Sequence, residues 1–328
     1  MPPGRHARPW PMPSIGSGRT GISAERRVKP GRVSLRPMHG RPTLANVDIA
    51  MANAHRLRED SVTGVFPLMK AVMLAAGVGR RLFGDGNDDP PKALLQFGDK
   101  TLLARHIEVL TALGVEELIV VVGHKKEMIE DELARVAPEG FARTLFNPRF
   151  KESPILSLAT AGEVLRSGER VLFMDADVYY HDDLLKALIN SRHQTCIILD
   201  QDFVPGDEPV KTCVRGDVLV DFGKKVYEPH DMVGEWPGFL TMAPEIARLV
   251  ADRADELSQG DMPGFVYEDA FCDVMKASEP GTFGFEDVTG IPWIEIDFPE
   301  DRERAATEIR AKIAAYKPMG ERVGDAAE

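Results

Sequence analysis

Residues 72–97 read VMLAAGVGRRLFGDGNDDPPKALLQF. A short apolar run suited to a buried strand gives way to Ala75-Ala76-Gly77-Val78-Gly79. Two arginines follow at once, and after a polar spacer comes Pro91-Lys92. In an open parallel sheet, ligands bind beyond the carboxyl ends of the strands. Small residues at that place let backbone N–H groups approach a phosphate closely. Three kinds of nucleotide loop compete for this segment. A P-loop needs GxxxxGK[ST], which is absent. A dinucleotide loop needs GxGxxG, and the third glycine position is Leu82, which counts against a nicotinamide-linked oxidoreductase. The third is a glycine-rich loop followed by a separate basic loop, with Arg80, Arg81 and Lys92 supplying the charge that glycines lack. Arginine suits bidentate phosphate contact and lysine supplies a point charge.

From Lys70 onward the pattern alternates between short apolar strands and helices. KAVMLAA, EELIVVVG, RTLFN, RVLFMDAD and TCIILD read as strands. TLLARHIEVLTALG puts Leu102, Leu103, Ile107, Leu110 and Leu113 on one helical face and closes on Gly114. KKEMIEDELARV, PILSLATAGEVL and HDDLLKALINS are further helices. This succession predicts an α/β fold with a Rossmann-like, doubly wound, mostly parallel sheet. After residue 203 the rhythm changes. VKTCVRGDVLVDFGKKV reads as two strands about an RGD turn, GFLTM as another strand, and PWIEIDFPED as a strand that runs into the closing helix. This part is expected to form a small β-containing subregion on the acceptor side, within one domain spanning residues 69–318.

Composition sets limits around that core. Residues 1–68 hold eleven Lys/Arg against four Asp/Glu, about +7, while the remainder holds 29 against 48, about −19. The acidic body argues against nucleic-acid binding. The Pro-, Gly-, Arg- and Ser-rich first 68 residues predict a disordered basic tail, and Met69-Lys70, directly before the first strand, reads as a natural true start, with the tail an extension from an upstream start codon. Residues 319–328 are expected to be a flexible C-terminus. No apolar run approaches the ~20 residues of a membrane span. Cys196, Cys213 and Cys272 form no CxxC pair and read as reduced core thiols of a cytoplasmic protein.

LAAGVGRRL followed by PPKALL resembles the signature of nucleotidyltransferases that activate phosphorylated sugars and alcohols. The resemblance runs from Lys70 to about Tyr316 and implies the nucleotide-diphospho-sugar transferase type of fold. It implies that Ala76, Gly77 and Gly79 line the nucleotide. Arg81 would hold the β- and γ-phosphates, and Lys92 would neutralise the α-phosphate in the transition state. Arg80 stands at a variable position of the pattern, open to solvent, and GDGNDD reads as a flexible lid.

Two aspartates, Asp175 and Asp177, end the strand VLFMDAD. Carboxylates this close repel each other unless a cation neutralises them, although aspartates also cap helices. In the family the acid matching Asp177 binds Mg²⁺. Alternation in WIEIDFPED puts Trp293, Glu295 and Asp297 on one face. By the resemblance, an acid here completes the metal site. Asp177, Glu295 and Asp297, with Asp175 beside them, are the expected all-oxygen Mg²⁺ ligands. Glu300 and Asp301 are read as structural acids of the first helical turn.

Within the family, VVVGHKKE and NPRFKESPILSLATA look most like the cytidylyltransferases that act on phosphocholine and related phospho-alcohols or phosphonates. Ser153-Pro154-Ile155 departs from the amide-rich stretch of that pattern. Gly123 and Ser153 are the candidates beside the base. Glu235, Trp236, Tyr267, Glu268 and Asp269 combine acids with aromatics, which suits an alkylammonium head, and Lys211 and Lys225 are candidates for the acceptor's phosphate. The reaction expected from this is transfer of CMP from CTP to phosphocholine or a relative such as 2-aminoethylphosphonate. The alternatives are a sugar- or inositol-phosphate nucleotidyltransferase, or a non-catalytic nucleotide-binding regulator. The expected partners are the nucleotide and a small phosphorylated acceptor, and the sequence leaves room for a homodimer.

Overall fold

The computed structural model describes residues 69–84, 89–259 and 264–318. The expectations for residues 1–68, for 319–328 and for the middle of the GDGNDD spacer lie outside them. The chain begins with β1 (Met69–Ala75), helix α1 (Arg80–Phe83), a 3-10 turn over Lys92–Leu94, and a small ribbon, β2 (Gln96–Phe97) and β3 (Lys100–Thr101). It continues through α2 (Leu102–Ala112), β4 (Glu117–Val122), α3 (Lys126–Val136), β5 (Ala142–Phe146), α4 (Ile155–Thr160) and α5 (Gly162–Leu165). Next come β6 (Arg170–Asp175), β7 (Val178–Tyr180), α6 (Asp183–Ile189), β8 (Cys196–Leu199), β9 (Lys211–Arg215), β10 (Val218–Gly223), β11 (Met232–Glu235) and β12 (Phe239–Met242). The last elements are α7 (Pro244–Leu257), α8 (Tyr267–Ala277), β13 (Gly284–Asp287), β14 (Trp293–Glu295), α9 (Pro299–Arg304), a π turn over Ala305–Ile309 and α10 (Arg310–Ala315).

The main sheet has the strand order β13-β8-β12-β6-β1-β4-β5. β12 is antiparallel to both its neighbours, and every other adjacent pair is parallel. This is the expected mostly parallel α/β sheet. Side-chain alternation explains how it is covered. In β1, Ala71 and Met73 face a core built with Leu103, Ile107 and Leu110 of α2, Ile129 of α3 and Leu184 and Leu188 of α6. Val72 faces the opposite core, with Ile155 of α4, Leu165 of α5, Val250 of α7 and Phe271 of α8. Each fully buried side chain of this kind contributes about 1.5–3 kcal/mol. α2 starts as the pattern requires: the Thr101 hydroxyl accepts the Ala104 N–H at 3.0 Å, and past its end Gly114 takes φ 76°.

Two helices differ from expectation. PILSLATAGEVL was expected to form one helix, but it divides at Ala161, whose N–H bonds back to Leu158 O at 3.0 Å in a tighter turn. The Thr160 hydroxyl also bonds Leu156 O at 2.7 Å, a local contact that bends helices. The closing helix is interrupted by its π turn. The RGD segment forms the expected antiparallel hairpin β9–β10, and β11 joins it as a third strand.

One small ribbon positions the acids. β7 pairs antiparallel with β14, with Glu295 opposite Val178, and the Ile296 N–H bonds Asp177 O at 3.0 Å. The two acidic segments, far apart in sequence, therefore meet at the carboxyl edge of β1 and β6.

Candidate active site

A cleft of about 350 Å³ opens at that edge, lined by Gly77, Gly79, Arg80, Arg81, Lys92 and Asp177. Its floor follows from the glycines. Gly79 has φ 67°, and a Cβ there would sit 3.0 Å from the Phe83 ring. Both constraints exclude a side chain, so Gly79→Ala should cost about 1–2 kcal/mol and lower the melting temperature by a few degrees. Calorimetry checks this, and an unchanged melting point would mean that the loop does not need this conformation. Ala76 is buried beneath the loop, and its carbonyl accepts the His124 N–H at 3.1 Å. Arg80 lines the cleft and is exposed.

Lys92 begins a 3-10 turn behind Pro91, and the buried side chains of Ala93 and Leu95 anchor that turn. Its Nζ donates to Asp177 at 2.8 Å and to Asp297 at 2.7 Å. Burial alone would lower the Lys92 pKa, but the two carboxylates outweigh it and raise it well above the usual lysine value. Arg81 donates to Asp297 at 2.8 Å and to Glu208 at 2.9 Å, and its guanidinium lies 5.6 Å from the Phe298 ring centre. Asp177, Glu295 and Asp297 each offer an oxygen, all within 4.8 Å of one another. Burial, then Asp177 and Asp297, push the Glu295 pKa well up. An all-oxygen set of this kind suits a hard divalent cation. Asp301 stays structural, its carboxylate accepting the N–H groups of Asp297 and Phe298.

Asp175 does not join the three acids. Tyr267 donates its hydroxyl to it at 2.9 Å, and it packs against Gly238, where a Cβ would come within 2.8 Å of its oxygen. Neither Asp175 nor Asp177 caps α6, whose N-cap is Asp182. The two base candidates make local contacts of their own. Gly123 makes room for Phe150, since a Cβ there would lie 2.6 Å from its side chain, and Ser153 is buried with its hydroxyl on Phe265 O at 2.5 Å. Phe150 and Lys151 are the groups that line the cleft from this segment.

Several acceptor candidates have other roles. Trp236 is a core residue, 3% exposed, packed on Phe173, Phe222 and Phe271, with its indole N–H on Phe239 O. Asp269 accepts the Val266 N–H and closes the cap of α8. Lys211 gives its ammonium to the carbonyls of Gly206, Pro209 and Lys224, which uses all three donors. Lys225 is exposed, whereas its neighbour Lys224 pairs with Glu208 and faces Glu268. Glu235 and Glu268 remain as carboxylates on this side.

One contributor had no signal beyond a polar residue on an apolar helix face. His106 is buried in α2, with Nδ1 3.0 Å from the Tyr180 hydroxyl and Nε2 3.3 Å from Ala176 O, between the two aspartates. Burial lowers its pKa to about 4, so it is a neutral strut under the acid turn.

Glu235 is pushed up to about 7 by burial and by Asp200, against Lys211 and with Asp301 adding to the rise. Glu268 is likewise pushed up to about 7 by burial, with Lys224 opposing and Asp269 assisting. A raised carboxyl pKa means that the folded chain keeps a proton which the unfolded chain releases above pH 4.5. Stability from both groups is therefore lost as pH rises through about 7. Thermal melting of the ligand-free protein should fall between pH 5 and 8, and the fall should be smaller in Glu268→Gln. A melting point that rose across this range would contradict the assignment.

The profile of the MobA-like NTP transferase domain matches residues 71–219. A CTP:phosphoglutamine cytidylyltransferase of Campylobacter jejuni is 21% identical over 254 residues, covering 72% of this chain and 98% of its own. A UTP–glucose-1-phosphate uridylyltransferase of Haloferax volcanii is 46% identical over 255 residues, 74% of this chain and 97% of its own. Among solved structures, the CTP:phosphocholine cytidylyltransferase from Streptococcus pneumoniae superposes with a TM-score of 0.57 at 22% identity, covering 73% of this chain and 98% of that one. Among the described residues no helix is long and apolar enough to cross a membrane. With the glycine-rich loop, Arg81 and Lys92 gathered at one cleft, the chain belongs to the nucleotidyltransferases, like its 46%-identical relative, and residues 71–219 carry the match to the MobA-like NTP transferase domain.

Proposed function

We propose that the chain transfers CMP from CTP to a small phospho-alcohol or phosphonate that carries a positively charged head, with release of pyrophosphate. The observation that carries this reading is the convergence of Lys92 and Arg81 on Asp297, beside Asp177 and Glu295, at the mouth of the glycine-lined cleft. Glu268, which acts on Asp175 at the end of β6, supports the cationic head.

The roles follow from charge and position. Gly77 and Gly79 leave room for the triphosphate. Arg81, an exposed fork at the cleft, holds its distal phosphates. Lys92 neutralises charge on the α-phosphate as the acceptor oxygen attacks and pyrophosphate leaves in line. The acceptor is already an anion, so no strong general base is required. Asp177, Glu295 and Asp297 are the residues that would hold Mg²⁺, which when bound supplies further charge neutralisation and orients the phosphates. Asp175 and Tyr267 brace the strand end next to them. Lys224 replaces Lys211 and Lys225 as the lysine that faces the acceptor wall.

The test is pyrophosphate release with Mg²⁺, each common nucleoside triphosphate and a panel of acceptors: phosphocholine, 2-aminoethylphosphonate, glucose 1-phosphate and inositol 1-phosphate. Turnover confined to CTP with a nitrogen-bearing acceptor is expected. Turnover confined to UTP with glucose 1-phosphate would keep the phosphate machinery and remove this acceptor reading.

A further inference from the structure

We propose that Lys92 and the divalent cation compete for the same two carboxylates, Asp177 and Asp297, so that the protein's own lysine blocks the metal centre until a nucleotide phosphate draws it away. The proposal rests on the nucleotidyl-transfer reading above and adds to it a coupling between metal and nucleotide.

The competition follows from the contacts. Lys92 Nζ lies 2.8 Å from Asp177 Oδ2 and 2.7 Å from Asp297 Oδ1. These are two of the three acids whose oxygens lie within 4.8 Å of one another, with Glu295 as the third. An ammonium that bridges two of the three sits among the oxygens a metal would use. Arg81 reaches Asp297 as well, at 2.8 Å, so both oxygens of this carboxylate are engaged. The side chains of Lys92, Asp177 and Asp297 are only 15%, 20% and 16% exposed. Water therefore screens poorly the repulsion between an ammonium and a divalent cation held a few ångströms apart.

The lysine is the partner that can leave. The acids are fixed by their backbones: the Asp177 carbonyl accepts the Ile296 N–H, and the Asp297 N–H is held by Asp301. The Lys92 backbone is fixed too, but its charge rides on a flexible four-carbon stem. That stem runs beside the glycine floor, where a Cβ at Gly79 would lie 3.5 Å from Lys92 Cγ. A turn of the stem alone therefore carries Nζ from the acids to a phosphate in the same cleft. Linkage makes the effect mutual. A phosphate that takes Lys92 opens the acids to the metal, and a metal on the acids frees Lys92 for the phosphate. A lysine that merely held the acids together would act in the opposite sense, because its loss would let them spread and weaken the metal.

The experiment measures Mn²⁺ binding to the nucleotide-free full chain by electron paramagnetic resonance, in wild type and in Lys92→Met, which keeps the bulk of the stem and removes the charge. Lys92→Met should bind Mn²⁺ at least about fivefold more tightly, the lower end of ordinary coupling between sites. The gain should vanish when Asp177→Asn is added. CMP, which carries the α-phosphate alone, should tighten Mn²⁺ binding more in wild type than in Lys92→Met. Equal or weaker Mn²⁺ binding in Lys92→Met would overturn the proposal, and so would a gain that survived Asp177→Asn. Mn²⁺ binding in neither protein would overturn the metal reading of the three acids as well. If Lys92→Met does not fold, wild type decides: saturating Mn²⁺ should speed acylation of Lys92 by a water-soluble reagent, mapped by peptide mass spectrometry, and an unchanged or slower rate would overturn the proposal.

Discussion

Lys92→Ala is expected to lower kcat by about 10²–10³-fold, the usual loss when one preorganised charge is taken from a transition state. Lys92 is the cation at the centre of the site, 2.8 Å from Asp177 and 2.7 Å from Asp297. Those carboxylates outweigh its burial and keep it charged throughout the neutral range. It matters chiefly where negative charge shifts during transfer, so kcat and kcat/KM should fall together. Lys92→Arg should restore little, because the turn that carries it is fixed by buried Ala93 and Leu95 and leaves the planar fork no equivalent place. Steady-state pyrophosphate release measures all of this, and unchanged turnover in Lys92→Ala would remove Lys92 from the chemistry.

Asp297→Asn is the second large effect expected. One carboxylate accepts from both Lys92 and Arg81 and belongs to the group of three acids. Its neutralisation loosens both cations and weakens one metal ligand. kcat should fall by at least about 10²-fold, and half-saturation with Mg²⁺ should rise by about 10–100-fold or more, the range seen when even outer partners of a metal ligand are lost. Mn²⁺ binding followed by electron paramagnetic resonance reads the metal affinity without turnover. Glu208→Ala is the contrast. Its pair with Arg81 lies at the surface, where such pairs contribute about 0–1 kcal/mol. If Asp297→Asn behaved like Glu208→Ala, Asp297 would be a surface partner of Arg81 and nothing more.

Much of the phosphate side was legible in the sequence. A strand that ends in small residues, a glycine with no room for a side chain, and isolated basic residues after it are local signals, and the sheet edge brings them together. Asp177 and Asp297 were legible for the same reason, because both sit where a strand ends. The acceptor side was less so, because its roles depend on distant partners. Asp175 looks like a twin of Asp177, but the hydroxyl of Tyr267, 92 residues away, takes it out of the group. Trp236 beside Glu235 suggests an aromatic cage, but three phenylalanines enclose it. Lys211 looks like a free cation at a strand start, but loop carbonyls consume its donors. His106 reads as one polar residue in an apolar helix, and only the turn it touches gives it meaning.

The most direct measurement follows the label from CTP carrying ³²P at the α position in one reaction and at the γ position in another, with Mg²⁺ and 2-aminoethylphosphonate. The account predicts that the α label appears in a CMP-linked product and the γ label in pyrophosphate, with both processes lost in Lys92→Ala. Transfer of the γ label to the acceptor, or α label released only as free CMP, would contradict it.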